Sequence, residues 1–88
     1  MSDETVSLSV IWADVARRNL RAIDRVTALE ILHCLGRYLK TQVGNVKKLV
    51  PPRDDYRLRC GDYRLFFDFI DKHVIRVTDV VHRRQSYR

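Results

Sequence analysis

The sequence predicts an α+β domain: an N-terminal strand, an α-helical hairpin, then antiparallel β-strands forming one sheet. Three observations carry that expectation. Val6 to Ile11 alternates apolar and polar residues, the period of a half-buried strand. Between Trp12 and Gly44 the apolar residues recur at helical spacing, in two runs broken near Asp24. From Tyr56 onward, alternating runs are separated only by short turns. A chain of 88 residues with 45% apolar content folds as one domain over 1–88, large enough for a single core.

The elements follow in order. Val6-Ser7-Leu8-Ser9-Val10-Ile11 reads as a short strand. Trp12, Val15, Ala16, Leu20 and Ile23 mark the buried stripe of a first helix, whose back carries Arg17, Arg18, Arg21 and Arg25. Asp14 near its start suits the positive end of the helix dipole. A second helix begins near Asp24, buries Ala28, Ile31, Leu32, Leu35 and Leu39, and ends between Thr41 and Gly44. So short a connection predicts an antiparallel helix pair. Val46 to Leu49 is a short extended piece stopped by Pro51-Pro52. Tyr56–Cys60 and Tyr63–Ile70 flank Gly61-Asp62, which has the chemistry of a two-residue hairpin turn. Asp71-Lys72-His73 turns again into a strand from Val74 to Val81, and a basic tail, His82 to Arg88, follows.

The net charge is +6, and residues 44–88 hold eleven of the 17 basic side chains against six of the 11 acidic ones. A positive face so concentrated points to nucleic acid, an anionic membrane or an acidic partner, against the bland reading of an arginine-rich soluble surface. No apolar run approaches the roughly 18–20 residues of a membrane span, and Met1-Ser2-Asp3-Glu4 is acidic where a signal peptide is basic. Cys34 and Cys60 lack metal-ligand spacing and fall on apolar faces. They read as small core residues of a protein in a reducing cytoplasm. His33, His73 and His82 are scattered, so no metal or other cofactor is expected.

A turn at Gly61-Asp62 sets Cys60 against Tyr63, Arg59 against Arg64, Leu58 against Leu65 and Arg57 against Phe66. Opposed residues share a face. Tyr56, Leu58, Cys60, Tyr63, Leu65, Phe67 and Phe69 then line the face toward the helices, while Arg57, Arg59 and Arg64 lie on the other. Like charges directly opposed cost tenths of a kcal/mol to about 1 kcal/mol. Splayed guanidiniums, neutralisation by Asp62 or Asp68, or a slipped register would relieve that cost, as would a bound anion. In the next hairpin Ile70 faces Val74, Asp68 faces Arg76 and Phe67 faces Val77. Unbroken parity then carries His82 toward the arginine face and Arg83 away from it.

Arginines with a histidine and tyrosines nearby resemble a phosphodiester site. Guanidinium stays charged and matches phosphate oxygens with a planar fork. Donors placed where charge develops are usually the largest catalytic term. Histidine exchanges protons near neutrality, and tyrosine beside guanidiniums acquires a lower pKa or stacks on a base.

The stretches "GNVKKL", "YRLRCGDYRLFF" and "VVHRRQSYR" in this order resemble the RelE/ParE superfamily of bacterial toxin–antitoxin toxins, the RelE branch in particular, over nearly the whole chain. That resemblance implies a ribosome-dependent, metal-independent endoribonuclease cutting mRNA in the ribosomal A site by 2′-hydroxyl attack, with ribosomal RNA contacts and a cognate antitoxin. By resemblance, Arg57 and Arg59 hold the RNA, Arg64 and Arg83 stabilise the phosphate, and Tyr87 acts on the 2′-hydroxyl or stacks on a base. Lys47 and Lys48 contact RNA or ribosome. Arginine is too basic to shuttle protons readily, so Tyr87 or His82 is the better general base. The same fold also serves toxins that inhibit DNA gyrase by binding, and non-catalytic nucleic-acid-binding homologues.

Overall fold

The structure, a computed structural model, describes residues 7–85. β1 (Ser9–Trp12), α1 (Asp14–Arg21), α2 (Arg25–Thr41) and β2 (Val46–Lys48) precede β3 (Tyr56–Cys60), β4 (Tyr63–Asp71) and β5 (Val74–His82). The strands form one sheet in the order β1-β5-β4-β3-β2. β1 runs parallel to β5, and the other pairs are antiparallel. The α+β class therefore holds, with a mixed sheet. Trp12 ends β1 rather than opening the first helix, because its register opposite Val77 satisfies it in the sheet. No helix among the described residues is long and apolar enough to cross a membrane.

Local chemistry sets the helix ends. The Asp24 carboxylate caps α2 by accepting from Thr27 N–H at 3.1 Å, and that bond holds its pKa below the usual value. Gln42 closes α2 in the left-handed region (φ 57°), its N–H donating to Tyr38 O at 2.7 Å. α1 packs on β5 and α2 on β3. Ala16, Ile31, Leu35 and Tyr38 meet Leu58, Leu65, Phe67, Ile75, Val77 and Val80 in one buried cluster. Two expected stripe residues, Val15 and Leu32, point outward instead, and Tyr38 turns inward against Phe67. Burial raises the Tyr38 pKa.

The cysteines require a correction. Cys60 is buried as expected, but Cys34 and Cys60 are bonded to each other, joining α2 to β3 across 26 residues with their Cα atoms 5.9 Å apart. Sequence spacing gave no sign of this, since the partners meet only once α2 lies on the sheet.

The β3–β4 register is the expected one, from Cys60↔Tyr63 to Tyr56↔Phe67. Gly61 takes the positive φ (62°) that the turn requires and that only glycine adopts without strain. In the second hairpin, Asp68↔Arg76 and Phe67↔Val77 also stand as expected. Two irregularities were not foreseen. Ile70 is unpaired, so Asp71, not Ile70, faces Val74. Thr78 is also unpaired, because Phe67 faces Val77 while Phe66 faces Asp79. This second bulge is held from both sides: Thr78 Oγ1 donates to Phe66 O at 3.1 Å, and Val80 N–H donates to Asn19 Oδ1 of α1 at 3.0 Å.

Asn19→Ala leaves the Val80 amide without its partner, and urea unfolding should register a loss of about 1–3 kcal/mol. Opening the Cys34–Cys60 bond frees a 26-residue loop in the unfolded chain. By the chain-entropy estimate, Cys34→Ser or added reductant should lower the unfolding free energy by about 3.5 kcal/mol.

Candidate functional site

The face of the sheet away from the helices is built in cross-strand rows. Arg59 of β3 stands opposite Arg64 of β4, and Arg64 opposite Val81 of β5. The neighbouring row reads Lys47, Arg57, Phe66, Asp79. Two like-charged pairs, Arg59–Arg64 and Lys47–Arg57, therefore sit side by side, each unfavourable in a plain sheet. The carboxylates nearby do not relieve Arg64. Asp68 is engaged by Arg76 at 3.0 Å, and Asp62 lies 3.6 Å from Arg83 Nε.

Arg64 is the centre of this arrangement. Its residue exposure is only 4%. Its Nη1 donates to the carbonyls of Gly61 and Tyr63 at 3.4 Å, and its Nε is buried with no hydrogen-bond partner. Arg57 Nε is likewise buried and unpartnered. A buried guanidinium that lacks a carboxylate among the described residues is a costly thing to keep. An anion brought against this face would offset that cost.

The bulge at Thr78 overturns the expected sides of the C-terminal residues. Beyond it, parity inverts, so Val81 joins the arginine face and His82 pairs with Tyr63 on the helix side. There the His82 ring packs edge-on against Tyr63 at 5.2 Å and its Nδ1 accepts from Arg84 N–H at 3.2 Å. It lines a cleft of about 560 Å³ with Thr27, Glu30 and Tyr63, across the sheet from the arginines. Arg83, which unbroken parity sent away, is instead held at the β3–β4 turn: its N–H donates to Asp62 O at 2.7 Å. The turn thus brings Arg83 and Arg64 to one end of the sheet. Tyr87 lies outside the described residues.

Lys47 and Lys48 separate. Lys47 shares the face of Arg57, whereas Lys48 pairs with Asp54 at 2.9 Å and lies over the Tyr56 ring, and that carboxylate raises its pKa. Phe69, expected in the core, is 40% exposed because β3 ends at Tyr56 and leaves it uncovered. Sequence reading missed Asn19, whose side chain fixes β5, and Arg53, whose guanidinium lies 5.1 Å from the Phe66 ring centre. An isolated asparagine in a basic helix carries no signal for the first. For the second, parity already placed Phe66 among the arginines, and an aromatic there was the clue.

The profile of the ParE toxins of type II toxin–antitoxin systems (parDE) matches residues 10–87. The chain belongs to that family. It is a RelE/ParE superfamily toxin, and its fold agrees. The crystal structure of the toxin–antitoxin complex RelBE2 from Mycobacterium tuberculosis superimposes with a TM-score of 0.78, covering 93% of this chain and 98% of that one at 24% identity. The archaeal RelE–RelB complex from Pyrococcus horikoshii gives 0.70, with 89% and 97% covered at 21% identity. The RelB–RelE complex from Methanococcus jannaschii gives 0.67, with 88% and 94% covered at 20% identity. A search of curated proteins finds no significant match.

If the toxin keeps Arg64 for an external anion, removing the charge should relieve the fold. Arg64→Leu is expected to raise the unfolding free energy measured in urea by about 1 kcal/mol or more; a lowered value would show that Arg64 serves packing instead.

Proposed function

We propose that this toxin is a ribosome-dependent mRNA endoribonuclease that works without metal in the cytoplasm and is restrained by a cognate antitoxin in a heterocomplex. The observation that carries this reading is the opposed Arg59–Arg64 pair, with the Arg64 Nε buried and unpartnered beside Arg57. Three guanidiniums on one rigid sheet face match a phosphate that gains charge during reaction.

The chemistry is a transesterification. The 2′-oxygen attacks the adjacent phosphorus, a 2′-O–P bond forms, and the P–O5′ bond breaks. The 2′ proton passes to a base, Tyr87 in this reading, and the departing 5′-oxygen takes a proton from an acid. Arg64 and Arg83 stabilise the phosphorane oxygens, and Arg57, Arg59 and Lys47 hold the RNA. Lys48 belongs to the flanking basic surface that meets the ribosome, as do the exposed Arg17, Arg18 and Arg21 of α1. His82 faces α2 and does not touch the phosphate in this reading. The solved RelE relatives are complexes with antitoxins, which supports an antitoxin for this chain.

The family match supports a second reading, a ParE-like inhibitor of DNA gyrase with no RNA chemistry; a non-catalytic nucleic-acid-binding homologue is the third. Inducing this chain alone is expected to arrest growth and leave mRNA cut within translated frames, visible by mapping RNA 5′ ends. Arg64→Ala and Tyr87→Phe should each relieve the arrest. Intact mRNA with falling supercoiling activity would establish the gyrase reading, and intact mRNA with unchanged supercoiling the non-catalytic one.

A further inference from the structure

Next to the arginine face lies a smaller cleft of about 190 Å³, lined by Leu49, Val50, Arg53, Arg57 and Phe66. Its volume equals that of about six waters, which suits one planar ring system. Four features distinguish it from an ordinary surface dent. Phe66 is an aromatic ring on the arginine face, in one row with the charged Lys47, Arg57 and Asp79. The Arg53 guanidinium lies over that ring, 5.1 Å from its centre. Asp55 fixes the guanidinium through two bonds, Nε to Oδ1 at 3.0 Å and Nη2 to Oδ2 at 2.6 Å. Arg57 forms the wall shared with the arginine face, its Nε buried and unpartnered.

We infer that this cleft binds an unpaired nucleobase of the RNA strand whose phosphate rests on Arg57, Arg59 and Arg64. Bases of single-stranded RNA stack on aromatic rings and on guanidinium planes alike. Here the two are already layered, and the Arg53 side chain, 56% exposed, presents its outer face to solvent. Asp55 pre-organises that plane, so little rotamer entropy remains to be lost when a base arrives. Leu49 and Val50 supply apolar contact at the rim, with Val50 73% exposed. A phosphate on the arginines and a base in this cleft would fix the strand at two adjoining points, which sets its position relative to the attacking hydroxyl. The inference rests on reading the arginine face as an RNA site.

The test uses the full chain and short 2′-O-methyl oligoribonucleotides, which lack the nucleophile and stay intact. Binding is followed by fluorescence anisotropy for the complete strand and for strands made abasic at one position at a time. At one position, loss of the base should weaken binding about tenfold, the worth of one stacked base. Phe66→Leu and Arg53→Lys, which keep apolar character and charge respectively, should each reduce that ratio to near unity. Binding of the abasic strand itself should be unchanged by either. Arg53 is on an exposed loop, so its variant tests the cleft even if Phe66→Leu lowers stability. If no abasic position weakens binding, or if the ratio survives both substitutions, the cleft holds no base although the RNA reading stands. If even the complete strand fails to bind, the cleft holds no base, and the RNA 5′ ends mapped after induction decide the ribosome-dependent reading separately.

Discussion

Thr78 stands outside the ladder between β4 and β5, its hydroxyl on Phe66 O while Asn19 of α1 takes the next free amide, Val80 N–H. A bulge left to itself re-aims a strand loosely. One pinned by a side chain from the covering helix has a single geometry. The rest of β5 takes its side of the sheet from this point, including the apolar Val80 that returns to the core, and the Arg83 backbone then meets Asp62. The helix layer and the arginine face are therefore not independent: α1 sets where Arg83 emerges.

The same sheet explains how cations can be kept so close. Arg59 and Arg64 are opposed on strands whose other faces carry Leu58, Cys60 and Leu65, all buried. A register slip that separated the arginines would turn those apolar side chains to water. Core burial at several positions, each worth about 1.5–3 kcal/mol, outweighs repulsion of about 1 kcal/mol. The disulfide between Cys60 and α2 ties the end of β3, next to Arg59, to the same layer. Stability built on one face thus sustains electrostatic tension on the other, which is the condition for a preorganised anion site.

Much of this was legible in the sequence, because short-range chemistry wrote it. Gly61-Asp62 fixed one register and the Asp68–Arg76 pair another, so the arginine face and its buried reverse follow from parity alone. Asp24 and Gln42 bound the second helix where the pattern placed it. What escaped depends on contacts distant in the chain. The bulge rests on Asn19, some sixty residues from Val80, and the disulfide on two elements that meet only after folding. His82 was placed on the wrong side for the first of these reasons: parity counting has no term for an inserted residue. Neither the parallel β1–β5 pair nor the apportioning of α1 to β5 is marked by any local pattern.

The parallel pairing of β1 with β5 also bears on how the domain comes into being. Ser9 pairs with Val74, and Ala13 N–H bonds Val77 O. Among the described strands, β1 is made before the others and must wait for β5, made after them. α2 and the β3–β4 hairpin form from contacts local in sequence, but β1 and α1 have no sheet to rest on until β5 has emerged. Non-local pairing of this kind is slow to form, and synthesis proceeds from the N-terminus. Since α1 in turn supplies Asn19 to the bulge, the face that carries the arginines acquires its final shape only after the last strand is translated. A domain whose proposed target is the translating ribosome is thus assembled, by its own topology, only once β5 has been made.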